Sequence, residues 1–194
     1  MEPVAVTIAG RTSLAGEEVQ FLLLAGGQRW CAAIELDSGA LMSARWDEAV
    51  PGLAPYVVVR ARVAEDQGGT DPMRPDEVNL DAAPRAVGRV GRRRADRLLR
   101  PVLHPAGEHL LGTPGAAAPY WTIDGSHPSI AVVAPSPAPV VVGGRCRFRW
   151  RNVAHALPVL PHALADRPRR PGRVVVTFST PRDGYCYKVV AALL

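Results

Sequence analysis

"RCRFRWR", residues 145–151, sets an arginine at every odd position, with Cys146, Phe148 and Trp150 between them. Successive side chains of an extended chain point to opposite faces, so this alternation has the period of a strand with one wet and one buried side. A helix, turning about 100° per residue, would scatter the same arginines around its circumference. The stretch therefore predicts a strand with Arg145, Arg147, Arg149 and Arg151 outward and Cys146, Phe148 and Trp150 in a core. Burying the two aromatic rings yields a few kcal/mol, which burial of unpaired guanidinium groups would far outweigh in the opposite sense.

Most other strong segments also read as strands. Before the arginine row come "VAVTIAG" (4–10), "VQFLLLAGGQRWCAAIEL" (19–36, hinged at Gly26-Gly27), "YVVVRARVAE" (56–65), "SIAVVAP" (129–135) and "PVVVGG" (139–144). After it come "GRVVVTFS" (172–179) and "YCYKVVAAL" (185–193). "QGGTDPMRPDE" (67–77) and "ADRPRRPG" (165–172) read as polar loops. Nineteen prolines and eighteen glycines between short strands fit barrels or a sandwich better than a helical fold. One helix is predicted, over 91–100 in "GRRRADRLLRPVL". There Ala95, Leu98, Leu99 and Val102 follow the i, i+3, i+4, i+7 pattern, and Arg93, Arg97 and Arg100 stack on the opposite face. Pro101 ends it, lacking an N–H and clashing with the preceding turn.

Charge divides the chain. Residues 1–84 carry six arginines against thirteen acids, a net of −7, whereas residues 85–194 carry seventeen bases against five acids, a net of +12. Too few carboxylates lie in the second part to neutralise its arginines, and like charges along a strand repel unless something opposite faces them. Two kinds of partner fit. One is a phosphodiester chain, since alternate residues on a strand lie about 6.6 Å apart, within reach of successive phosphates. Tyr185 and Tyr187 share a strand face and would supply stacking planes, with Lys188 adjoining them. The other is the acidic part of the same chain, which would make the row internal glue. The location of the arginine face discriminates between them.

Other chemistry is poorly represented. Cys31, Cys146 and Cys186 are far apart and form no CxxC pair; each reads as a buried thiol rather than a zinc ligand. His104 and His109 lie five apart with no third ligand at a recognised spacing. "DGSHPS" (124–129) holds Asp, Ser and His too close in sequence for a triad's geometry. "AGG" and "VGG" lack the Lys-Ser/Thr of a P-loop. No catalytic residue, metal or cofactor is expected. No apolar run reaches the 18 or so residues of a membrane span, and the acid in "MEPVAVTIAG" stands where a signal peptide is basic, so the cytoplasm is the expected location.

The C-terminal "TFSTPRDGYCYKVVAALL" (177–194) resembles the end of bacterial dual OB domain proteins, in which a Pro-x-x-Gly turn leads into Gly-Tyr-Cys-Tyr-Lys and an apolar strand. "WCAAIELDSGALMSARW" (30–46) resembles that family's cysteine-containing strand, turn and second strand. "PDEVNLDAAPRAVGRV" (75–90), "PSIAVVAPS" and "CRFRWRNVAHALPVL" resemble further segments in the same order. Residues 9–30 depart from the family's polar stretch, keeping only Arg11 and Ser13. The resemblance implies two tandem OB-like five-stranded barrels with one short amphipathic helix between or beside them. The division falls at 84/85, within a boundary region of 81–91: a first, acidic barrel over 1–84, then the helix and a basic barrel over 85–194. It implies nucleic-acid or nucleotide recognition of the kind found in bacterial conflict systems, and with no catalytic residue expected, a non-enzymatic binding module. The alternative is a structural or protein-interaction scaffold whose acidic and basic halves pack on each other.

Overall fold

The computed structural model describes residues 14–67, 71–105, 109–165 and 168–194. The strand expected at 4–10 lies outside these residues, as do parts of the two polar loops. The fold is mostly β, with curled sheets. The first sheet contains β1 (Glu18–Gly26), β2 (Trp30–Glu35), β3 (Leu41–Arg45), β4 (Val57–Arg62), β5 (Glu77–Asn79) and β6 (Arg85–Arg89), in the order β5-β3-β2-β1-β4-β6. The Gly26-Gly27 hinge is a hairpin turn, with the Gly27 N–H donating to the Trp30 carbonyl at 2.7 Å. In the next hairpin the buried Glu35 carboxylate accepts the N–H groups of Asp37 (2.8 Å) and Ser38 (2.6 Å). Strand β3 runs parallel to β5, and the chain just beyond β5 bridges Val63, just beyond β4. The sheet thus curls round Phe21, Leu23, Ala33, Val59 and Val78.

Strand β6 pairs with β4, so Arg85–Arg89 belong to the first sheet. The amphipathic helix follows at once as α1 (Arg92–Leu99), stopping before Pro101 with Ala95 and Leu99 buried. After it come β7 (Ala117–Pro119), β8 (Ile130–Val133), β9 (Val140–Val142), β10 (Arg145–Trp150) and β11 (Val153–Pro158). Helix α2 (Pro161–Ala165), β12 (Val174–Phe178) and β13 (Tyr185–Leu193) complete the chain. They form two sheets, β7-β13-β12-β8 and β11-β10-β9. A parallel bridge from Val159 to Val190 joins the end of β11 to β13. Both sheets close over Cys146, Phe148, Leu157, Val176, Phe178 and Cys186.

A third apolar layer holds the halves together. Leu22, Leu24, Ala32 and Ile34 of the first sheet meet Ile130, Val132, Val175, Ala191 and Ala192 of the second half, with Ala95 and Leu99 of α1. Strand β1 is thereby buried on both faces: Phe21 and Leu23 fill the first core while Leu22 and Leu24 fill the junction. The same division separates Val174 and Val176 from Val175 on β12. Strands buried on both sides are continuous apolar runs rather than alternating ones, which is how "FLLLA" and "VVV" read. The layer that joins the halves is mainly hydrocarbon. Ion pairs such as Arg62–Asp81 (3.4 Å) and Arg173–Asp96 (3.7 Å) each stay within one half.

Candidate nucleic-acid interface

The arginine row lies on β10, whose residues alternate exposed and buried along the strand. Arg145, Arg147 and Arg149 face solvent, Cys146 and Phe148 are buried, and Trp150 is half-buried against the same core. Among the described residues no carboxylate pairs with these three guanidiniums. Arg145 donates to the Ala156 carbonyl across the hairpin at 2.5 Å. Small or apolar residues flank the row: Ala154 and Ala156 on β11, Val140 and Val142 on β9.

Arg151 departs from the expected pattern. It begins the β10–β11 turn with φ of +52°, is half-buried, and its guanidinium sits 4.5 Å from the centroid of the Trp150 ring. The alternation therefore ends at Trp150, because the turn must reverse the chain there. Arg93 and Arg97 on α1, and Arg100 at its C-cap, are exposed as the helical period predicts. Asp96 on the same helix pairs with Arg173.

Tyr185 and Tyr187 are exposed at 42% and 39%, so they are surface rings. Two residues absent from the sequence-based candidates adjoin them, Tyr120 and Trp121, exposed at 49% and 65%. The signal was present in "PYW" but carried no periodicity, because these rings lie on a single 3-10 turn over Tyr120–Thr122.

Lys188 is a correction. It shares the inner face of β13 with Cys186 and is 1% exposed, so it does not reach an external ligand. Its ammonium donates to the carbonyls of Thr113 (2.5 Å) and Gly115 (2.8 Å), and burial pulls its pKa down to about 8. It pins the segment leading into β7 against β13. Its charge is also the second cause, after burial, that lowers the pKa of His155, whose ring stacks on Phe148 with centroids 5.0 Å apart.

The remaining candidates take structural positions. The three thiols are free and buried, and burial pushes Cys31 up to about 12 and Cys146 up to about 11. His104 Nε2 donates to the His109 carbonyl at 2.8 Å, and Asp124 accepts the Ser126 N–H at 2.9 Å in an exposed turn. A cleft of about 560 Å³ opens between the halves, with Trp30 and Phe178 in its lining. Three arginines there (Arg29, Arg45, Arg74) face three acids (Asp47, Asp71, Glu77), so its formal charge is balanced. Glu77 holds both Arg45 (3.6 Å) and Arg74 (3.2 Å). Unlike this cleft, the face of β10 carries charge that no carboxylate among the described residues offsets.

Among the described residues, no helix is long and apolar enough to cross a membrane. Compared with family models, curated proteins and solved structures, the chain matches none of them.

Proposed function

We propose that the chain is a pair of OB-like barrels, the second of which binds single-stranded nucleic acid or a related polyphosphate. The barrel reading is supported by a strand order common to both halves. In the first, the circuit runs β1-β2-β3-β5-β4 and returns to β1, with β3 parallel to β5. In the second, β8 and β9 together take the place of β1. The circuit continues through β10, β11, β13 and β12 back to β8, with a parallel link again between the third and last strands. Five strands closed in this way make a small Greek-key barrel, an architecture suited to oligonucleotides.

The observation that carries the binding reading is the exposed set Arg145, Arg147 and Arg149, which has no carboxylate partner among the described residues. Arg93, Arg97 and Arg100 add charge from α1. Phosphate contacts carry no base sequence, so binding should be nearly indifferent to sequence. The wild-type chain is expected to bind a fluorescein-labelled dT15 at 20 mM salt. At roughly −0.7 per neutralised phosphate on a single strand, the slope of log K on log salt should fall between about −2, for the three arginines of β10 alone, and about −4, with those of α1 included. Anisotropy titrations at several salt concentrations measure this. Absence of binding at the lowest salt would remove the proposal. It would favour the scaffold reading, for which the exposed Val140 and Val142 beside the arginines would serve a protein partner.

A further inference from the structure

We infer that Tyr120, Trp121 and Tyr185, with Tyr187 alongside, form a stacking platform for unpaired bases, so that the ligand is a single strand rather than a duplex. This rests on the nucleic-acid reading above and deepens it. The rings are neighbours: Trp121 lies 5.5 Å from Tyr120, edge to face, and 6.2 Å from Tyr185, centroid to centroid. All four aromatic side chains rank among the exposed large apolar residues. Contiguous exposed aromatic rings, on a chain with well-filled cores, are the kind of surface that partners cover.

The backbone holds the platform in place. The Tyr120 N–H donates to the Gly184 carbonyl at 3.0 Å, and Pro119 stands opposite Tyr185 in the β7–β13 ladder. Thr122 Oγ1 donates to the Pro119 carbonyl at 2.8 Å, closing the turn. Gly184 has φ of +80°, and a Cβ there would come within 3.1 Å of the Trp121 ring. Glycine thus meets two demands at once, the left-handed turn and the close approach of the indole. The sequence "GYCY" reads accordingly: glycine to seat the tryptophan, tyrosines outward, cysteine inward.

Charge decides among planar partners. Sugars and proline-rich peptides also stack on exposed aromatic rings, but residues 85–194 carry a net charge of +12, which favours a polyanion. A nucleic acid has both flat rings and negative charge. In a duplex the base faces are already stacked on one another, whereas a single strand can offer them. Tyr185 and the arginines of β10 all lie on the outside of the second half, on different strands.

The test uses the full chain, dT15 and a 15-base-pair duplex at one low salt concentration. The double variant Trp121→Ala/Tyr185→Ala is expected to bind dT15 on the order of 10- to 100-fold more weakly, at an unchanged salt slope, with duplex binding unaltered. Trp121 is the most exposed tryptophan, so dT15 should quench part of the protein's emission, and that part should vanish in Trp121→Phe. The quenching readout needs no destabilising change. Wild-type binding of dT15 with the double variant binding equally well, or with quenching retained in Trp121→Phe, overturns the platform and leaves the arginine reading standing. Failure of the wild type to bind dT15 overturns both.

Discussion

Leu22→Ala is expected to destabilise the whole chain by about 3 kcal/mol, within the range found for leucine truncation in well-packed cores. Leu22 is fully buried in the layer shared by the two halves. It sits on the central strand β1, where Ile34 and Val58 are its partners across the ladder. The cavity opens where the second half must supply the missing contacts, so neither half relaxes without the other. Urea unfolding should therefore remain a single transition at a lower midpoint, whether followed by far-ultraviolet dichroism or by tryptophan emission. Two separated transitions in the wild type would mean that the apolar layer does not couple the halves.

The second large effect concerns Asp76, a buried carboxylate that hydrogen-bonds across the junction. It accepts the Ser129 N–H at 3.1 Å and the Ser129 hydroxyl, while the Ser129 carbonyl accepts Thr177 Oγ1 at 2.9 Å. Burial pushes the Asp76 pKa up to about 6 from 3.8, although the hydrogen bonds from Ser129 act against it. The folded chain therefore keeps this proton to a higher pH than the unfolded chain does. The associated stability is fully present below about pH 4 and is lost as pH rises through 6, a change of about 3 kcal/mol. Asp76→Asn removes the titration and keeps an acceptor for Ser129. The stability difference between the two proteins should favour wild type at pH 4 and shift toward the variant by pH 8. Asp76→Ala leaves two buried donors unmet and should cost about 1–3 kcal/mol at pH 4. Parallel stability curves for wild type and Asp76→Asn from pH 4 to 8 would contradict this account.

Legibility in the sequence followed the number of wet faces. Strand β10, wet on one side, was visible residue by residue from its alternation. Strands β1, β12 and β13 were visible as strands, but their uniform apolar runs gave no indication that Leu22 and Val175 face a neighbouring unit while Phe21 and Val174 face their own core. Two-sided burial erases the period that would have revealed it. The charge division between the halves suggested an electrostatic junction, yet the junction is mainly an apolar layer in which the buried carboxylate of Asp76 meets Ser129, because hydrophobic burial does not depend on formal charge elsewhere on the chain. Lys188 was misplaced for a local reason: it follows two outward tyrosines in sequence but falls on the inward parity of the strand. The carbonyls that receive it belong to Thr113 and Gly115, distant in sequence. Tyr120 and Trp121 gave no periodic signal at all, since a single turn has none.

If the arginine face of β10 binds a polyanion, Arg147→Glu/Arg149→Glu, assayed for dT15 binding at low salt beside a thermal melt, must show it. Both side chains are solvent-exposed with no carboxylate partner among the described residues. Reversal should therefore abolish binding and leave the melting temperature within a few degrees of wild type, as expected for surface changes away from packed features. A double variant that binds dT15 as tightly as wild type, or that loses binding only by unfolding, would contradict the claim.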